Sequence, residues 1–115
     1  MILIAEDNKD VQRAYERLLR GREVRICDDA ADAFALVEAG LRPDFIISDL
    51  EMPLMLGTSF CVALRGMGLP TPFLLVSGAA GLEQLARDCG ADDFAQKGAD
   101  GIGKILDFVA RYCEK

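Results

Sequence analysis

The chain has no histidine and no tryptophan among its 115 residues. Without imidazole it cannot run Ser–His–Asp or Cys–His catalysis, build an HExxH zinc site, or itself carry a phosphohistidine. Any general acid or base must be Asp, Glu, Lys, Tyr or Cys. The four cysteines, Cys27, Cys61, Cys89 and Cys113, form no CxxC pair. They read as buried thiols of a reducing compartment, not as disulfides or metal ligands. Positive charge is also short, with 13 Lys and Arg against 19 Asp and Glu and a net charge of −6. Such a chain has no electrostatic footprint for nucleic acid or anionic lipid, and neither is expected as a direct partner. Its acidity suits a divalent cation or a basic partner, though such a charge more often serves solubility alone. Long apolar runs are missing: stretches such as Pro70–Val76 fall far below the ~18 residues of a membrane helix. A strand-like run, Ile2–Ala5, follows Met1 directly where a signal peptide would need its basic and apolar regions. A cytoplasmic chain without a membrane span is expected.

What remains is ordinary globular material, 51% hydrophobic and 28% charged. The length suits one domain, expected to fill residues 1–115 and to leave no room for an output domain. Short, nearly continuous apolar runs, Ile2–Ala5, Val24–Cys27, Phe45–Ser48, Phe73–Ser77 and a weaker Asp93–Gln96, look like strands buried on both faces. Between them apolar residues recur at helical spacing. Val11, Ala14, Tyr15, Leu18 and Leu19 form the first stripe, with Gly21 as a C-cap. Ala30, Ala33, Phe34 and Val37 end at Gly40. A shorter helix covers Ser59–Leu64 and stops at Gly66. Leu82, Leu85, Ala86 and Cys89 end at Gly90, and Ile102, Ile105, Leu106, Val109 and Cys113 form the last stripe. Five alternating βα units predict a parallel sheet with helices on both faces. Five units are too few for an eight-stranded barrel. The expected fold is therefore α/β, a doubly wound, flavodoxin-like (βα)5 domain with strand order 2-1-3-4-5.

In such sheets ligands lie beyond the carboxyl ends of the strands, at the switch point between strands one and three. The residues there are Glu6 and Asp7 after strand one, Asp49 after strand three, Ser77 at the end of strand four and Lys97 after strand five. Three neighbouring carboxylates repel, and a hard divalent cation such as Mg²⁺ resolves the conflict. Lys97 adds a positive charge and Ser77 a hydroxyl. The set can hold a phosphoryl group that a carboxylate attacks. Each residue also has a plainer role. Glu6, Asp7 and Asn8 can cap the first helix, Asp49 can serve a turn, Ser77 a cap, and Lys97 the solvated surface.

The chain resembles a receiver domain of a two-component response regulator along essentially its whole length. Ala5-Glu6-Asp7 is similar to the family's acidic pair. Asp44 to Pro53 resembles the stretch that carries its phosphorylated aspartate, with Met52, Pro53 and Gly57 in matching places. Ser77-Gly78-Ala79 resembles the hydroxyl-bearing step after strand four, and Gly90 to Lys97 the segment with the switch aromatic and the lysine. The resemblance implies that Asp49 is the phosphoacceptor. It implies Mg²⁺ bound by Asp7, by Glu6 mostly through water, by Asp49 and by the backbone carbonyl of Glu51. It makes Lys97 the phosphoryl partner, Ser77 the moving donor and Phe94 the aromatic that follows it; as a plainer alternative, Phe94 is a core aromatic of the last strand. The implied donor is a phosphohistidine on a sensor histidine kinase or histidine phosphotransfer protein. The output is a changed surface on the fourth helix, fifth strand and fifth helix, read by a downstream protein or by a second copy in a homodimer. Such a chain is not an enzyme for a separate substrate, although it catalyses its own phosphorylation and dephosphorylation.

Some positions depart from the family pattern. Gly98 follows Lys97 where the family usually has a proline, often after a cis bond, so a trans or mobile loop is expected there. Gly98, Gly101 and Gly103 predict a fraying start to the last helix. Leu54-Met55-Leu56 places three apolar residues beside Asp49, as a partner contact or as local packing. Ser77 to Gly90 is short and predicts an abbreviated fourth helix. Glu51 stands close enough to reach the phosphoryl site with its side chain. Two other functions compete with phosphorylation. One is a degenerate receiver that only docks partners, motivated by Gly98. The other is a Mg²⁺-dependent topoisomerase–primase-type enzyme using Glu6 with Asp49-Leu50-Glu51.

Overall fold

A computed structural model describes residues 1–113. Five strands alternate with five helices: β1 (Ile2–Ala5), α1 (Lys9–Leu18), β2 (Val24–Cys27), α2 (Ala30–Glu38), β3 (Phe45–Asp49), α3 (Gly57–Gly66), β4 (Phe73–Ser77), α4 (Leu82–Cys89), β5 (Asp93–Gln96) and α5 (Ala99–Cys113). The strands form one parallel sheet in the expected order β2-β1-β3-β4-β5. The three central strands are buried along their whole length, which explains their unbroken apolar composition.

Alternation along each strand divides the core into two faces. Leu3, Ala5, Ile46, Phe73 and Leu75 pack with Ala33 and Val37 of α2, Phe60, Cys61 and Leu64 of α3, and Ala86 of α4. Edge-to-face contacts run from Phe34 to Phe60 (6.2 Å between ring centroids) and from Phe60 to Phe73 (5.5 Å). On the other face Ile2, Ile4, Phe45, Ile47 and Leu74 meet Tyr15 and Leu19 from the α1 side and Ile105, Phe108 and Val109 of α5. Each fully buried side chain of this size is worth about 1.5–3 kcal/mol over exposure. The two layers thus fix the sheet and hold the carboxyl ends of β1, β3 and β4 side by side.

The helices fall where the apolar spacing predicts and move some boundaries, but Ala14, Leu85, Ile102 and Leu106 of the expected stripes are exposed. α3 begins at Gly57, two residues before the expected Ser59, because the Gly57 N–H reaches back to the Leu50 carbonyl (2.9 Å) and Phe60 N–H to Leu56 (3.0 Å). Gly21 lies beyond the α1 C-cap, which is Leu19. α4 is short, eight residues, as its loop length suggested. α5 starts at Ala99, ahead of the Ile102 stripe and despite three nearby glycines, since the burial of Ile105, Phe108 and Val109 overrides local propensity. Cys27, Cys61 and Cys89 are free and buried; the side chain of Cys113 lies outside the described residues. No helix among the described residues is long and apolar enough to cross a membrane.

Candidate functional site

Asp49 is the last residue of β3 and is only 6% exposed. Its Oδ1 accepts a hydrogen bond from the Leu50 N–H (3.0 Å), and its Oδ2 faces Lys97 Nζ at 3.1 Å. Two further carboxylates converge from β1. Carboxylate oxygens of Glu6, Asp7 and Asp49 all lie within 4.8 Å of one another. Glu6 is 1% exposed, whereas Asp7 is open to solvent. The plainer capping role goes to the neighbouring residue instead. Asn8 Oδ1 caps α1 by accepting from Asp10 N–H (2.9 Å) and Val11 N–H (3.2 Å). Glu6 Oε2 accepts from Asn8 N–H (3.1 Å), which leaves Asp7 facing the cluster without a capping duty.

The electrostatics of the cluster are those of an anionic site short of positive charge. Burial pushes the Glu6 carboxyl above its ordinary range. The Asn8 N–H opposes this, and the charges of Asp49 and Asp7 reinforce it. Burial also raises Asp49, against the pull of Lys97 and Leu50 N–H. Burial alone would lower the Lys97 ammonium, but Asp49, Glu6 and Asp7 together raise it. One ammonium therefore serves three carboxylates, two of them buried. A small hard cation with oxygen ligands matches this donor set in charge and type.

Lys97 is aimed at Asp49 although Gly98 follows it. No described peptide bond is cis, and Gly98 takes φ +136°, which L residues rarely adopt. Lys97 N–H is anchored to the Ser77 carbonyl (2.9 Å), which ties the backbone of Lys97 to the end of β4.

Ser77 ends β4 and is 1% exposed. Its hydroxyl accepts from Ala79 N–H (3.0 Å) and donates to Glu51 Oε1 at 3.3 Å. Glu51, exposed in the loop after β3, thus turns its side chain to Ser77 and stands outside the three-carboxylate group. Phe94 is half-buried on β5, paired in register with Leu75. Lys104 Nζ of α5 lies 3.9 Å from its ring centroid and 3.2 Å from Asp93 Oδ1. Leu54 is 84% exposed and Leu56 49%, so two members of the apolar run are not local packing; Leu54 also takes φ +73°.

Gln12, Tyr15 and Lys104 join the site without a signal in the sequence, whereas Gly57, eight residues after Asp49, has one. Gln12 Nε2 clamps the Glu6 carbonyl (2.5 Å) and Asp28 (2.9 Å), fixing the acidic loop from α1. Tyr15 is buried near enough to Glu6 and Asp49 for their charges to add to the burial that raises its phenol. Lys104 reaches Phe94 from another element. The backbone of Gly57 passes so close to Asp49 that an added Cβ would lie 2.3 Å from the Asp49 carbonyl oxygen. Helical position and residue type carry no trace of the Gln12, Tyr15 and Lys104 contacts.

Comparison with known proteins identifies the class. The chain belongs to the response regulator receiver domain family, whose model matches residues 2–107. It is 34% identical over 100 residues to the transcriptional regulatory protein PrrA of Mycobacterium tuberculosis, an alignment covering 84% of this chain and 42% of PrrA. The chain spans about two-fifths of the length of the curated relatives it matches. Among solved structures, the receiver domain of a signal transduction histidine kinase from Syntrophus aciditrophicus superposes with a TM-score of 0.86 at 28% identity, covering 98% of this chain and 89% of that one. The receiver domain of the sensor histidine kinase PA1611 from Pseudomonas aeruginosa, with a magnesium ion coordinated in its active site cleft, shares the fold at a TM-score of 0.84 and 24% identity, covering 99% and 97%.

Proposed function

We propose that this receiver domain accepts a phosphoryl group on Asp49 and signals through a changed α4–β5–α5 surface. The observation that carries the reading is the meeting of Glu6, Asp7 and Asp49 around one point with Lys97 held on Asp49 Oδ2. The donor is a phosphohistidine of a histidine kinase or phosphotransfer protein, consistent with a chain that has no histidine. A carboxylate oxygen of Asp49 forms the new P–O bond as the donor's P–N bond breaks, and the imidazole keeps that electron pair. Glu6, Asp7, Asp49 and the Glu51 backbone carbonyl would hold Mg²⁺, which supplies neutralising charge for the phosphoryl oxygens. Lys97 neutralises a further oxygen and Ser77 donates to another. Phosphorylation adds about 1.5–2 negative charges and three acceptor oxygens. Drawing Ser77 toward them opens space beside β5 for Phe94 and alters α4 and α5.

The chain thus catalyses its own phosphorylation and dephosphorylation and turns over no separate substrate. A cytoplasmic location fits this role. A downstream protein, or a second copy, would read the switched face, where Leu85 of α4 and Ile102 and Leu106 of α5 are exposed. Intact-mass spectrometry with acetyl phosphate and Mg²⁺ tests the reading. One added phosphoryl group is expected, lost on chelation and in Asp49→Asn; no gain with acetyl phosphate or with a cognate kinase contradicts it.

A further inference from the structure

Ser77 has one hydroxyl proton, so it can donate to one acceptor at a time. In this structure that proton goes to Glu51 Oε1 at 3.3 Å, while the oxygen of the same hydroxyl is held by Ala79 N–H at 3.0 Å. The proton of Ser77 is therefore committed to the loop after β3, and its oxygen is held by the loop after β4. Glu51 is exposed and lies outside the carboxylate group at Glu6, Asp7 and Asp49. Its side chain is thus free to serve Ser77 instead of a cation.

We propose that Glu51 is a positioning residue that restrains the switch: its carboxylate holds the Ser77 hydroxyl in the resting state and must be displaced before Ser77 can serve a phosphoryl oxygen on Asp49. Two physical effects act in the same direction. The incoming oxygens compete for the single proton of Ser77. They also bring negative charge toward a carboxylate that is already negative, and like charges at short range are unfavourable. The restraint thus favours the unphosphorylated conformation without blocking the metal ligands. The proposal deepens the phosphoacceptor reading and rests on it.

The test uses the full chain, its Glu51→Ala and Glu51→Gln variants, and two measurements. The first is the amide spectrum by NMR without metal or phosphate. Glu51→Ala should move the Ala79 resonance, because the hydroxyl that Ala79 binds loses its acceptor, and leave the Ile4 and Phe60 resonances in place. An unmoved Ala79 overturns the resting contact whatever the fate of the phosphorylation reading. The second is titration with Mg²⁺ alone and then with beryllofluoride, a tetrahedral mimic of the phosphoryl group. At saturating Mg²⁺, Glu51→Ala should tighten beryllofluoride binding about threefold to tenfold, the effect of one part-exposed hydrogen bond to a charged group. Glu51→Gln, which keeps an acceptor and loses the charge, should fall between. Unchanged or weaker beryllofluoride binding in Glu51→Ala, with the parent binding normally, overturns the restraint. A parent chain that binds neither Mg²⁺ nor beryllofluoride overturns the receiver chemistry itself, and the restraint with it.

Discussion

At the scale of single residues, the site stores unfavourable electrostatics in the metal-free chain. The Glu6 carboxyl is held above its ordinary pKa chiefly by burial. The folded chain therefore binds this proton more tightly than the unfolded chain does. Stability is lost as pH rises from the ordinary carboxylate value through the raised one. Glu6→Gln has no such proton to lose. Melted in chelator, it should be more stable than the parent at pH 8, and the gap should close toward pH 4; a gap that widens in acid contradicts the account. Gly57 gives a second prediction, through space and not charge. Gly57→Ala places a methyl group 2.3 Å from the Asp49 carbonyl oxygen, backbone that cannot swing aside. A loss of about 1–3 kcal/mol in chemical denaturation is expected, as for other overpacked sites, together with weaker Mg²⁺ binding as the Asp49 loop shifts.

At the scale of elements, the β5–α5 junction carries the features that distinguish this chain. Gly98 stands where the resemblance led one to expect proline, and its φ of +136° excludes that residue, whose ring holds φ near −65°. Gly98→Pro should therefore lower the melting temperature and weaken Mg²⁺-dependent phosphorylation by displacing Lys97; a more stable, fully active variant would refute the geometry. One turn into α5, Lys104 covers the Phe94 ring and pairs with Asp93. A partly exposed cation–π contact is worth about 0.5–1 kcal/mol. Lys104→Met keeps the aliphatic stem and removes the charge, so it should speed ring flipping of Phe94 by NMR while the fold persists. Helix existence was legible from apolar spacing. The early starts of α3 and α5 were not, because Gly57 and Ala99 carry no apolar periodicity and owe their helical state to the Leu50 carbonyl and to the packing of Phe108.

At the scale of the molecule, strand order did most of the work of prediction. Glu6, Asp7, Asp49, Ser77 and Lys97 are up to 91 positions apart, yet each follows or ends a strand, and a doubly wound sheet brings such positions to one edge. That much could be read from alternating apolar runs. Side-chain direction could not: Glu51 turns to Ser77 and not to Glu6, Asp7 and Asp49, and Gln12 and Lys104 reach in from helix faces that look merely solvated. The most direct test of the whole account is chemical mapping of the phosphorylated residue. The chain, treated with acetyl phosphate and Mg²⁺, is reduced with borohydride, which converts an aspartyl phosphate to homoserine, and then sequenced by tandem mass spectrometry. Homoserine at position 49 is predicted, absent when Mg²⁺ is chelated; homoserine elsewhere, or none in a chain that binds Mg²⁺, would contradict the account.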